Sequence, residues 1–169
     1  NAQRNLDLNA AIIQNGPKGD NVRNQVGLFL NFDLASTGGV LTSAVSMDTG
    51  GGGVTIMGRN VVFNTSANIN TGGGTFNLNV TGAFTANGGV VSTQGGSVTV
   101  ASVGGISTSG DIVTTGGNVV IAASGTGLSF LGGTTIDTRG GAGMGMVDLR
   151  ANAADLNLAA SSDISSGPT

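Results

Sequence analysis

The sequence predicts an all-β fold built as a single-stranded parallel β-helix, a β-solenoid of about seven coils of 21–28 residues. Three observations carry this. A glycine pair followed by an alternating apolar strand returns every 21 to 24 residues, its second glycine at Gly53, Gly74, Gly96, Gly117 and Gly141. The apolar alternation behind each pair opens at Val54, Phe76, Val98, Val119 and Val147. Finally, helix-forming residues are scarce: Glu is absent and Lys18 is the single lysine, which leaves little from which to build a solvent-facing helix. The apolar residues are mainly Val, Ile, Leu and Ala, which suit a long thin core better than a wide globular one.

Taken in order, the first strands of the coils read Leu6-Asp7-Leu8, Leu30-Asn31-Phe32, Val54-Thr55-Ile56, Phe76-Asn77-Leu78, Val98-Thr99-Val100, Val119-Val120-Ile121 and Val147-Asp148-Leu149. They are spaced 24, 24, 22, 22, 21 and 28 residues apart. Side chains alternate along a strand, so the outer residues of each triplet point inward and stack from coil to coil. The middle residues face water, and Val120 stands out among them as an exposed apolar spot. A second inward series runs Met47, Ile69, Val91, Ile112, Ile136 and Ile164. Between the two lies a less regular arm at Val61 to Phe63, Phe84 to Ala86, Val103 to Ile106 and Leu128 to Phe130. Three short strands per coil imply a roughly triangular cross-section. The six phenylalanines, Phe29, Phe32, Phe63, Phe76, Phe84 and Phe130, sit mostly on these arms and read as core fillers.

A threonine column follows the second series at Thr49, Thr71, Thr93, Thr115 and Thr138. Its position before the glycine corner points to hydroxyls that bond one another or the turn backbone. An ice-binding face would need an exposed Thr-x-Thr array, and no such array repeats here. The glycines belong at corners, where sharp turns demand backbone conformations that a Cβ opposes. The regular spacing fails at residues 15–27, which hold a proline and much of the charge and read as a protruding loop, and again at 140–146, where the coil lengthens and Met144 and Met146 appear.

Charge and composition exclude several classes of function. The net charge is −3 and the six basic residues, Arg4, Lys18, Arg23, Arg59, Arg139 and Arg150, are scattered, so no footprint for a nucleic-acid backbone exists. No apolar run reaches the roughly 18 to 20 residues that a transmembrane helix requires. Cysteine is absent, which excludes disulfides and zinc-thiolate sites. The chain starts at Asn1 with no recognisable signal peptide, and is expected to be one β-solenoid segment, 1–169, of a longer protein.

The unit Gly116-Gly117-Asn118-Val119-Val120-Ile121-Ala122-Ala123, followed after an irregular arm by Ile136-Asp137-Thr138-Arg139-Gly140-Gly141, resembles the repeats of filamentous haemagglutinin-like exoproteins. Leu6-Asp7-Leu8-Asn9-Ala10-Ala11-Ile12 and Asp155-Leu156-Asn157-Leu158-Ala159-Ala160 share that flavour. The resemblance covers nearly the whole chain. It implies a right-handed parallel β-helix shaft of a surface adhesin, exported by two-partner secretion from a Gram-negative-type bacterium or a cyanobacterium. The asparagine-rich export signature of that family's secretion domain is not recognisable.

Catalytic chemistry is sparse. There is no His, Cys, Tyr, Trp or Glu, so Ser-His-Asp and Cys-His constellations are excluded. An acid-based glycan enzyme would need Asp residues in register on adjacent coils. The nine acids, Asp7, Asp20, Asp33, Asp48, Asp111, Asp137, Asp148, Asp155 and Asp163, do not align that way; Asp48 and Asp137 share a register but lie four coils apart. Gly140-Gly141-Ala142-Gly143-Met144-Gly145 lacks the Asp of a calcium-binding nonapeptide. No catalytic, cofactor or metal residue is therefore assigned. Asn64-Thr65-Ser66 and Asn79-Val80-Thr81 have the form of glycosylation sequons and read as surface asparagines.

The expected function is a non-catalytic structural shaft of a secreted or cell-surface fibre. A self-assembling filament subunit is the alternative, and a β-helical polysaccharide-acting enzyme a distant third. Expected partners are flanking coils, identical subunits end to end, and cell-surface glycans or proteins, met at 15–27, at 140–146 or at the open ends.

Overall fold

In the computed structural model the described residues are 6–8, 12–13, 28–31, 40–43, 46–141, 143–152 and 154–167. Among them there are only strands, turns and bends, arranged as parallel sheets stacked into a β-solenoid. The expected protruding loop at 15–27 and the residue Phe32 lie outside the described residues.

Three sheets run along the solenoid, all their strand pairs parallel. The first is ordered Leu6–Leu8, Val40–Ser43, Asn60–Phe63, Phe84–Ala86, Gly105–Thr108, Gly127–Phe130 and Leu156–Leu158. The second is ordered Ile12–Ile13, Met47–Asp48, Ile69–Asn70, Val90–Ser92, Asp111–Val113, Thr135–Asp137 and Asp163–Ser165. In the third, Leu28–Asn31 is followed by Val54–Gly58, Phe76–Val80, Val98–Ser102, Val119–Ala123 and Val147–Ala151. Within the continuous stretch 46–141, the second sheet passes from Met47 through Ile69, Val91 and Ile112 to Ile136, about four turns.

Two of the expected strand markers move. Leu6-Asp7-Leu8 pairs with Leu41-Thr42-Ser43 and so belongs to the first sheet, not to the Val54 series. In the third sheet Leu28 and Leu30 lie beside Val54 and Ile56, so the register is two residues earlier than Leu30-Asn31-Phe32 implies. The second shift preserves parity, and alternation alone cannot distinguish registers that differ by two. In the irregular arm the strand is Gly105–Thr108, while Val103 sits at a corner and is 60% exposed.

The core is a set of stacked columns. Val54, Phe76, Val98 and Val119 form one and Ile56, Leu78, Val100 and Ile121 the next, every one buried. The second sheet contributes Met47, Ile69, Ile112 and Ile136. Neighbouring coils sit about 4.8 Å apart, so each aliphatic buries the ones above and below it, worth about 1.5–3 kcal/mol per residue. Phe63, Phe76, Phe84 and Phe130 are buried as expected, with Phe63 and Phe84 edge to face at 5.3 Å between ring centroids. Val120 and the other middle residues from Thr55 to Asp148 are half-buried rather than fully exposed, because on a flat parallel face each shields its neighbours along the column.

Between the second and third sheets the chain turns by one repeated device. Thr49, Thr71, Thr93, Thr114 and Thr138 each lie two residues beyond the inward aliphatic, are essentially inaccessible, and donate Oγ1–H to the carbonyl of a closing glycine: Gly52, Gly74, Gly96, Gly117 and Gly145. The member of this column is therefore Thr114, not Thr115; a constant offset of two is what points the hydroxyl inward. Thr115 instead occupies the following position at φ 49°, where Gly50 and Gly72 have φ 61° and 59° and Gln94 has 51°. The closing glycines stack too, so that a Cβ on Gly96 would lie 2.0 Å from the Gly74 carbonyl oxygen and one on Gly117 2.1 Å from that of Gly96. The stacked glycines are thus Gly52 and Gly145 rather than Gly53 and Gly141, and the requirement there is close approach, not positive φ.

Candidate functional site

Among the described residues, three parts of the outer surface depart from the regular stack. The first is the turn after Thr138. In the four preceding turns the hydroxyl reaches a glycine three residues on; here it reaches Gly145, seven residues on. The insertion projects Met144 and Met146, 75% and 55% exposed. Its return is anchored by the Met146 N–H, which donates to Asn118 Oδ1 at 2.9 Å. This is the irregularity expected at 140–146. Together with a longer corner at Leu131–Thr134, it accounts for most of the 28-residue step from Val119 to Val147.

The second is a groove of about 270 Å³ on the outer face of the third sheet, lined by Met57, Asn79, Ala101, Ala122, Thr81 and Val103. Met57, Asn79, Ala101, Ala122 and Arg150 form one outward column, and the two alanines leave its floor low. Sequence reading passed over this groove because it is made by small outward residues, which carry no chemical signature. The third is the coil that carries Leu156–Leu158 and Asp163–Ser165. Leu156 and Leu158 continue the column of Leu128 and Phe130, and Ile164 that of Ile136, yet they are 43%, 51% and 37% exposed.

Among the described residues the charged groups do not converge. Asp48 and Asp137 share one outward column, as expected, but Asn70, Ser92 and Val113 stand between them, putting them roughly 19 Å apart. Asp137 is instead paired locally: Arg139 Nε and Nη2 each donate to it at 2.9 Å, as does the Arg139 backbone N–H. These hydrogen bonds hold its carboxyl down at about 2. Arg150 engages Asp148 in the same i, i+2 way and lowers its pKa. Both pairs are solvent-exposed and brace one face of one strand each. Asp111 is structural: its Oδ1 accepts the Thr135 N–H at 2.7 Å from the next coil. Asn60 and Asn68 serve similarly for Ala83 and Val90. Among the described residues no cluster of three His, Cys, Asp or Glu is placed to hold a metal ion. No helix among them is long and apolar enough to cross a membrane. Of the two sequon asparagines, Asn79 is exposed on a strand and Asn64 is half-buried at a corner.

No family model, curated protein or solved structure matches this chain.

Proposed function

We propose that this chain is a non-catalytic structural shaft: one segment, residues 1–169, of a secreted or cell-surface bacterial fibre of the filamentous haemagglutinin-like kind. In this reading the solenoid is right-handed, with about seven coils of three short strands each, and forms a rod about 33 Å long. The observation that carries it is the continuity of the buried columns: Val54, Phe76, Val98 and Val119 repeat one environment coil after coil, and the outward face above them carries no convergent charge. A scaffold so uniform transmits length and stiffness. The resemblance of residues 116–123 and 136–141 to exoprotein repeats supports the extracellular setting.

Excision of one 22-residue unit, joining Thr75 to Val98, tests the shaft role. A spacer tolerates the loss: the shortened protein still folds as β structure, and cells displaying it still adhere. Abolished adhesion from a folded deletion protein would instead place a specific contact in that unit. A parallel assay against acidic and neutral polysaccharides tests the non-catalytic part of the reading, which any turnover would refute.

End-to-end self-assembly is a second reading, in which a further copy extends the inward columns that run from Leu128, Phe130 and Ile136 to Leu156, Leu158 and Ile164. Bare parallel edges above apolar columns invite pairing with a further coil. Sedimentation separates the two: a dilute monomer argues against the filament, and fibres of uniform width support it.

A further inference from the structure

We infer that Asn87–Gly88 is a site of spontaneous succinimide formation, and that its conversion to isoaspartate loosens the wall of the solenoid beside the phenylalanine cluster. The inference is independent of the shaft reading. Four observations meet at this corner, between Phe84–Ala86 and Val90–Ser92. Asn87 is exposed and its amide makes no hydrogen bond among the described residues, its backbone N–H alone being engaged, to Phe63 O at 2.8 Å. In this it differs from Asn60, Asn68, Asn70 and Asn118, whose side chains each hold a backbone N–H. Next, Asn87 is the one described asparagine followed by glycine; Asn64, Asn79 and Asn157 precede Thr65, Val80 and Leu158, whose side chains shield the attacking nitrogen. The Gly88 N–H has no hydrogen-bond partner among the described residues.

The chemistry needs only water and base. The Gly88 backbone nitrogen gives up its proton and attacks Cγ of Asn87; the N–Cγ bond forms, the Cγ–Nδ2 bond breaks, and the amide leaves as ammonia, taking a proton. Water then opens the cyclic imide at either carbonyl, giving aspartate or isoaspartate, with no change of oxidation state. Isoaspartate adds one methylene to the main chain. This corner has no slack to absorb it: a Cβ on Gly89 would lie 2.5 Å from the Ala67 oxygen, and one on Gly110 2.8 Å from the Gly88 oxygen. The fourth observation is what lies behind the corner. A cavity of about 30 Å³, lined by Phe63, Phe76, Phe84, Val91 and Ile112, abuts Gly88 and Gly89, and Val90–Ser92 is only half-buried along its length. A lengthened backbone here opens the core beside the phenylalanine cluster.

The test ages the folded protein in mildly alkaline buffer, maps isoaspartate by peptide mass spectrometry after enzymatic methylation, and follows hydrogen exchange. The expected result is isoaspartate at Asn87 ahead of Asn64, Asn79 and Asn157, with amide exchange at Val90–Ser92 rising in step. Asn87→Gln, which leaves the corner glycines intact, should show neither change. The inference is overturned if the folded protein stays unmodified at Asn87 while the urea-unfolded chain is modified there, if modification is spread evenly over the asparagines, or if isoaspartate forms at Asn87 and exchange at Val90–Ser92 does not move.

Discussion

Replacing Gly96 with alanine should be among the most damaging single-methyl additions in this protein. Its Cβ would lie 2.0 Å from the carbonyl oxygen of Gly74 and 2.5 Å from the carbonyl carbon. Carbon and carbonyl oxygen come no closer than about 3.3 Å even in favourable contacts, so the two turns must part by about 1.3 Å. That is over a quarter of the roughly 4.8 Å between coils. Three backbone hydrogen bonds tie these coils together at this turn: Thr71 N to Ser92 O at 3.0 Å, Gly73 N to Thr93 O at 2.6 Å, and Phe76 N to Ser97 O at 2.9 Å. Stretched by that amount, all three leave hydrogen-bonding range. At about 0.5–1.5 kcal/mol each, with further cost where buried groups stay unpaired, the loss is about 3–5 kcal/mol. Gly95→Ala is the internal control. Nothing lies within 4 Å of its Cβ, but φ is 109°, so its cost of about 1–3 kcal/mol is backbone strain alone. Urea denaturation followed by far-ultraviolet circular dichroism reads both. The reasoning fails if Gly96→Ala lies within about 0.5 kcal/mol of wild type, or if Gly95→Ala is the more destabilised of the two.

Thr115→Gly should act in the opposite direction. A β-branched residue at φ 49° is replaced by the residue that Gly50 and Gly72 already place there, and a gain of about 0.5–1 kcal/mol in the same assay is expected after the added freedom of the unfolded chain. Thr93→Val removes a buried hydroxyl that donates to the Gly96 carbonyl, leaving that oxygen without it, and should cost about 1–3 kcal/mol; Thr93→Ser should recover most of the loss. Arg139→Ala should return the Asp137 carboxyl from about 2 towards its ordinary value, as read by carbon-detected titration. Because the folded pKa is depressed, the pair's contribution is present above the unfolded carboxylate pKa and fades as pH falls towards about 2. Both partners are exposed, so the midpoint of unfolding at neutral pH should barely change.

The parallel solenoid was legible because its cause is periodic. Met47, Ile69, Val91, Ile112, Ile136 and Ile164 form one column in the second sheet, as their spacing implies, and the buried phenylalanines fill the tube. Where reading failed, the physics is that of sub-period ambiguity. A strand register off by two looks identical in polarity, hence Leu28 rather than Leu30; adjacent threonines cannot be ranked without knowing which is inward, hence Thr114 rather than Thr115. Glycine counts mark corners, but do not separate a residue kept small for φ, such as Gly95, from one kept small for stacking, such as Gly96. The groove over Ala101 and Ala122 was illegible for a different reason: it is defined by what its residues lack.

The same periodicity decides where specific chemistry can reside. Adjacent coils present matched outward positions about 4.8 Å apart, close enough for two acids to cooperate only if neighbouring coils both carry one. In the Asp48 column the positions between the acids are Asn, Ser and Val, and at the nearest step Asn70 stands directly beside Asp48. The regular faces therefore supply repetition without convergence. The corner after Thr138 is different, because the insertion there projects outward and changes neither the strand register nor the core: the longer turn from Thr138 to Gly145 leaves Val119 and Ile121 paired with Val147 and Leu149. Such turns can vary in length and composition while the buried columns continue unbroken. In this chain the exposed methionines and the unpaired Asn87 side-chain amide both sit at corners, where outward side-chain identity is freest to differ even though the stacked glycines hold the backbone close.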